Sequence, residues 1–246
     1  MDYGIAIDIG TSNITSFLVK LPERKMIKKR VDKNPQTIYG SDILTRLTEA
    51  KKNKNTRIKL HDLIIEKVND IIKTFDETKK DNKKKFKKIS VVGNSAMMCF
   101  FLNEDPKIVG NSSKEKLLKN FQKINNKKIG LEVEGNCQII IPPIIGSYIG
   151  ADALADIIEL ELDKTKRINV ILDIGTNIEI IIGNKGKIFV GSVPGGPAFE
   201  ESHLSVGSPA KPGAIYRVKY DKNNKKFMTK FFGNKPKTIC GSGIID

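Results

Sequence analysis

The chain has 246 residues, 39% of them hydrophobic and 29% charged, with a formal net charge of +15. That length and apolar share support a packed core, as one large domain or two small lobes, and exclude global disorder. Three cysteines, Cys99, Cys137 and Cys240, stand far apart with no CxxC pair, which argues against a disulfide framework, a self-contained zinc site or an iron–sulfur cluster within this chain.

The basic balance could signal a polyanionic partner. Only six residues are Arg against thirty-seven Lys, and the Lys fall in solvated stretches such as KKNKN and DNKKKFKK with no aromatic-interleaved basic motif. No nucleic-acid partner is expected. The N-terminus, MDYGIAIDIG, has no basic leader pattern, and no apolar run approaches a bilayer span. The expected location is cytoplasmic, without a membrane partner.

In chain order, YGIAIDI (3–9) and TSFLVKL read as two strands joined by a glycine turn. SDILTRLTEA and the stretch Leu60 to Thr78 show helical spacing, the latter through Leu63, Ile64, Val68, Ile71, Ile72 and Phe75. Lys79 to Lys88 reads as a solvated loop. ISVVGNSAMMCFFL predicts a buried strand, a Gly-Asn turn and an apolar helix; CQIIIPP a strand stopped by prolines; ADALADIIELEL a helix. INVILDIGTN, IEIIIGN and KIFVGS then predict three strands, PGGPAFEE a loop, and IYRVKYDKNNKKFMTKFFG two more strands before a closing CGSGIID.

Two segments carry the chemistry. DIGTSN (Asp8 to Asn13) and DIGTN (Asp173 to Asn177) share the order acid, apolar, Gly, Thr, polar at a strand–turn–strand. Gly10 and Gly175 let main-chain N–H groups and the hydroxyls of Thr11, Ser12 and Thr176 face phosphate oxygens. Asp8 and Asp173 beside that charge make sense with magnesium between them, so MgATP is the implied ligand, and these two aspartates are the candidate metal residues. A plain tight turn is the alternative for either copy taken singly. Asp152, where IGAD opens a helix, is placed to orient water or to act as ordinary helix N-terminal chemistry. Gly195 and Gly196, and Gly241, Ser242 and Gly243, would allow close backbone approach to a ligand or serve as turns. Asn34, Gln36, Tyr39, Asp42 and Arg46 form a polar cluster, read either as a partner contact or as an i,i+4 Asp42–Arg46 pair at a helix start.

The paired hairpins resemble the phosphate loops of the superfamily that includes actin and sugar kinases. NPQTIYGSDILTRL (34–47), VVGNSAMM (91–98), IGADALADI (149–157), PGGPAFE (194–200), PAKPGAI (209–215) and CGSGIID (240–246) together resemble the ATPase domain of corrinoid-protein reductive activators, the ferredoxin-ASKHA family. The resemblance implies an α/β, actin-like (ribonuclease H-like) two-lobed fold of mixed sheets flanked by helices, with an N-terminal lobe over 1–165 and a partial C-terminal lobe over 166–246. It implies ATP-driven return of a Co(II) corrinoid to Co(I), a corrinoid protein partner and an external iron–sulfur electron donor. Asp8, Gly10, Thr11 and Ser12 resemble its first phosphate loop and Asp173, Gly175, Thr176 and Asn177 its second, and Glu179 is expected to help position water.

Three positions depart from that pattern: Ile178 and Glu201 stand where the family has Gly, and Ser208 where it has Met. Ile178 is expected to distort its turn because a β-branched residue resists φ above zero. Neither a ferredoxin-type Cys cluster nor a glycine-rich adenosine loop lies within 1–246, so a truncated or split activator, a homodimer, or a lobe completed by a second chain is expected, with part of the second sheet uncovered. Two other readings remain at this point: a small-molecule kinase on the same scaffold, and a partner-binding module that does not turn over ATP.

Overall fold

The computed structural model describes residues 2–78, 85–111, 118–175, 177–195 and 204–245. Two compact units divide the chain, one of residues 1–173 and 179–192, the other of 174–178 and 193–246.

The first unit is built on a six-stranded mixed sheet. Strands β1 (Asp2–Ile9), β2 (Asn13–Leu21), β3 (Lys25–Lys33), β4 (Phe86–Gly93), β5 (Gln122–Asn125) and β6 (Gln138–Ile141) lie in the order β3-β2-β1-β4-β6-β5. β1, β4 and β6 run parallel, while β2, β3 and β5 pair antiparallel to their neighbours. In β1 the period of two sends Tyr3, Ile5, Ile7 and Ile9 into the core and leaves Asp8 on the other face. Helices α1 (Ile43–Lys52), α2 (Lys54–Thr78) and α3 (Ser95–Phe101) supply the rest of that core. On α2, Leu60, Ile64, Val68, Ile71 and Phe75 recur at helical spacing and are each fully buried.

The expected hairpin, helices and central strands are all present, with three differences. β3 was not expected: KMIKKRVDK is exposed along almost its whole length, and Lys-rich edge strands lack the apolar alternation that marks a strand while blocking edge-to-edge association. The solvated loop ends earlier than Lys88, because Phe86 is buried and opens β4 opposite Tyr3. β5 is four residues of QKIN, too short and polar to show a period. Among the described residues no helix is long and apolar enough to cross a membrane.

A second small core in this unit joins α4 (Ala151–Glu159) to the strands β7 (Asn169–Ile174), β8 (Asn177–Asn184) and β9 (Lys187–Pro194), which form a sheet in that order. Ala153, Ile157, Leu162 and Ile181 form its centre. The tip of β7–β8, residues 174–178, and the end of β9 belong to the second unit.

The second unit otherwise contains β10 (Ala214–Asp221), β11 (Lys226–Phe231), β12 (Thr238–Ile239) and the short α5 (Gly241–Ile245). β10 and β11 are a hairpin closed by Asp221, whose carboxylate accepts from the N–H groups of Asn223 and Asn224 at 2.9 and 3.2 Å. β12 lies parallel to β10 on its other side.

Candidate functional site

The C-terminal ends of the parallel strands β1 and β4 lie side by side, with Ile9 opposite Gly93. Ligands of open α/β sheets gather beyond such carboxyl ends. Here the turn after β1 (Gly10–Ser12), the turn after β4 (Gly93–Asn94) and the entry to α4 (Gly150–Asp152) converge. The contacts are too close for any side chain: a Cβ on Gly150 would lie 2.3 Å from the Gly93 carbonyl oxygen and 2.4 Å from Asn94 Cα, and one on Gly93 would lie 2.6 Å from the Ile9 carbonyl oxygen. Glycine at 93 and 150 therefore brings α4, and with it Asp152, against the first turn.

That first turn is held by two asparagines. Asn34 donates its backbone N–H to the Ser12 carbonyl and its Nδ2 to the Gly10 carbonyl, both at 2.8 Å, and is itself fully buried. Its Oδ1 accepts the Gln36 N–H at 2.9 Å, and Gln36 Nε2 donates to the Leu60 carbonyl of α2. Asn94 donates Nδ2 to Thr11 Oγ1 at 3.2 Å. The reading of the 34–46 cluster as a partner contact is thus overturned for its buried members: Asn34, Gln36 and Arg46 face inward, and Asp42 is the N-cap of α1, accepting from the Thr45 N–H at 2.9 Å. Arg46 turns its Nε to the Gly40 carbonyl at 2.8 Å, and burial pulls its guanidinium down to about 10.

Five carboxylates of the first unit gather around this turn: Asp8, Asp152, Asp156, Asp173 and Glu179. Burial, followed by the charges of Asp173 and Asp156, lifts Asp8 to about 6. Asp152 is lifted to about 7 by burial, with the charges of Asp8, Glu179 and Asp173 adding to it and the hydrogen bond from the Ala153 N–H at 2.8 Å opposing. Asp156 and Glu179 are raised too, by burial first and by Asp173 next; on Glu179 a hydrogen bond from Ser192 Oγ at 3.0 Å pulls the other way. The site carries more negative charge at neutral pH than its surroundings comfortably hold. Such a group welcomes a cation, and a carboxylate near 7 suits proton transfer.

The sequence-level candidates therefore divide. Asp8, Asp152, Asp173 and Glu179 form one electrostatic group, joined by Asp156, whose i,i+4 spacing from Asp152 on α4 was the available signal. Thr11 is buried beside Asn94 while Ser12 is exposed. Gly175 and Asn177 lie in the second unit, where the Gly175 N–H donates to the Asn177 carbonyl at 2.9 Å. Ile178 sits in β8 without a left-handed φ, so the distortion expected of it is not seen there. A Cβ on Gly195 would lie 2.6 Å from Ile178 Cγ1, and one on Gly243 would lie 2.4 Å from the Ile215 carbonyl oxygen, so both glycines make close approaches inside the second unit. Gly241 and Ser242 open α5. Ser208 is buried and donates to the Pro209 carbonyl at 3.0 Å, with Thr238 Oγ1 at 2.6 Å. Thr176, Gly196 and Glu201 lie outside the described residues. Among the described residues, no three His, Cys, Asp or Glu side chains converge as a ready metal cage.

A mixed sheet whose first hairpin ends in Asp-x-Gly-Thr, with a second copy of that turn later in the chain, defines an α/β protein of the actin-like ATPase fold. Two family models match it, the RACo middle region over residues 3–165 and the C-terminal domain of RACo, the ASKHA domain, over 167–246; the chain belongs to this family. It is 30% identical over 244 residues to the corrinoid activation enzyme RamQ of Eubacterium limosum, covering 99% of this chain and 41% of that protein. With the [Co(II) methylated amine-specific corrinoid protein] reductase of Methanosarcina barkeri it shares 29% identity over 226 residues, 88% of this chain and 41% of that one. A solved reductive activator for a corrinoid, iron–sulfur protein superposes with a TM-score of 0.75 at 29% identity, covering all of this chain and 39% of the other. The chain thus spans about two fifths of the length of these relatives.

Proposed function

We propose that this chain is the nucleotide-handling part of an ATP-dependent reductive activator that returns a Co(II) corrinoid protein to Co(I), with an external iron–sulfur protein as electron donor. The observation that carries the reading is the crowd of raised carboxylates around a turn whose backbone and hydroxyl are held from behind by Asn34 and Asn94. The similarity to corrinoid activators supplies the substrate class.

The donor set fits magnesium. Mg²⁺ prefers hard oxygen ligands and is commonly held by one or two carboxylates together with waters and substrate phosphates, so the Asp8 and Asp173 pair suffices without a third acid. These two residues would hold the ion, which neutralises phosphate charge and acts as a Lewis acid. Gly10, Thr11 and Ser12 would offer N–H and hydroxyl groups to phosphate oxygens. Asp152, with its carboxyl near 7, would accept a proton from attacking water. Glu179, held by Ser192, would orient that water.

The test is optical. The chain is mixed with a Co(II) corrinoid protein, an iron–sulfur electron donor and either MgATP or no nucleotide, and the Co(I) absorption band is followed. The expected result is Co(I) formation that requires both the chain and MgATP. Co(I) appearing equally without nucleotide, or failing to appear although MgATP binds, would overturn the assignment.

A further inference from the structure

Asn94 stands between two demands that fix its amide. Its Oδ1 accepts the Met97 N–H at 3.0 Å as the N-cap of α3, so the end turned to Thr11 is Nδ2, at 3.2 Å from Oγ1. The amide cannot be reversed without losing the cap. Nor can it swing away, since Asn94 is 9% exposed and its Cα lies against Gly150.

The consequence falls on Thr11. A hydroxyl has one hydrogen to donate and two lone pairs that accept. Because Asn94 brings only N–H to the contact, Thr11 Oγ1 must accept there, and its own hydrogen is left for another acceptor. Thr11 sits in the turn whose carbonyls on either side, Gly10 and Ser12, are taken up by Asn34. With those two oxygens engaged by Asn34, the Thr11 hydroxyl hydrogen is a donor that the turn has available. We propose that Asn94 is a positioning residue that sets the Thr11 hydroxyl as a donor toward a phosphate oxygen of the bound nucleotide. This rests on the nucleotide-binding reading above and adds to it which residue gives the turn its polarity.

The test is a double-mutant cycle in the full chain. Asn94→Ser keeps a good cap but is too short to reach Thr11; Asn94→Asp keeps cap and shape but turns the contact around, so that Thr11 donates to the carboxylate. Each is made alone and with Thr11→Val, and thermal midpoint and MgATP affinity by calorimetry are measured for all. Asn94→Ser should weaken MgATP by about tenfold while moving the midpoint little, and should weaken the Thr11→Val variant no further. Asn94→Asp should weaken binding more, by about a further tenfold in the Thr11 background than in the Val one; this arm carries the test if Asn94→Ser does not fold. Affinity unchanged in both Asn94 variants, or losses that simply multiply with Thr11→Val, would overturn the role of Asn94 and leave nucleotide binding standing. If the unaltered chain binds no MgATP, the nucleotide reading falls, and this inference with it.

Discussion

β1 and β7 are written almost alike and packed very differently. Counting back from the shared aspartate, Ile5, Ile7 and Ile9 match Val170, Leu172 and Ile174 in position. The first three are 3%, 1% and 0% exposed, the second three 60%, 55% and 73%. Alternation makes a strand in both cases, because period two is a property of the backbone. Burial is decided by what lies over the strand: α2 and α3 share a core with β1, whereas Val170, Leu172 and Ile174 of β7 are exposed. The same motif is therefore a structural keystone in one place and a thinly supported strand in the other.

The largest effect that sharpens this contrast is cavity formation. Ile7→Ala should cost about 3 kcal/mol and Leu172→Ala less than about 1 kcal/mol in urea unfolding, because only the first leaves a void in a closed core. Equal losses would show that β7 is covered in solution.

Next comes the charge stored at the site. Asp152 has its folded pKa raised from 3.8 to about 7, so its contribution favours folding below pH 3.8 and is lost as pH rises through 7. Asp152→Asn removes that loss and should raise stability at pH 8 by about 2 kcal/mol, a midpoint gain of about 5 °C, with the difference vanishing near pH 4. A thermal scan series across pH checks it; a variant less stable than the parent at pH 8 would contradict the crowding of acids.

A smaller effect follows for ligand affinity. Asp8, raised to about 6, must give up its proton to receive a cation. MgATP affinity should therefore rise by about fourfold from pH 5.5 to 8 and level off above 7. In Asp8→Asn the slope should be shallower.

Much of this was readable in the sequence, for a physical reason. Strands β1, β2, β4 and β8 and the face of α2 announce themselves because each buries one side at a regular period, while β7 and β9 to β11 are legible as runs of β-branched and aromatic residues between turn residues although they bury little. The Asp-x-Gly-Thr turns were visible because a strand ending in an acid and a glycine is a local pattern. β3 escaped because an exposed Lys-rich edge buries nothing, and Phe86 because one buried aromatic in a run of lysines has no period. Asn34 and Asn94 were named only as a surface cluster and a turn. Their roles come from contacts across 24 and 83 positions of chain, which no local pattern encodes. The same holds for Gly93 and Gly150, whose mutual approach sets Asp152 in place.

The most direct test of the central claim is calorimetric titration of MgATP into the purified chain and into its Asp8→Ala variant, with folding of both confirmed by circular dichroism. The account expects saturable binding by the unaltered chain, weakened by at least about tenfold in the variant because the carboxylate proposed to hold the cation is gone. A folded chain that binds no MgATP, or a variant that binds as well as its parent, would contradict it.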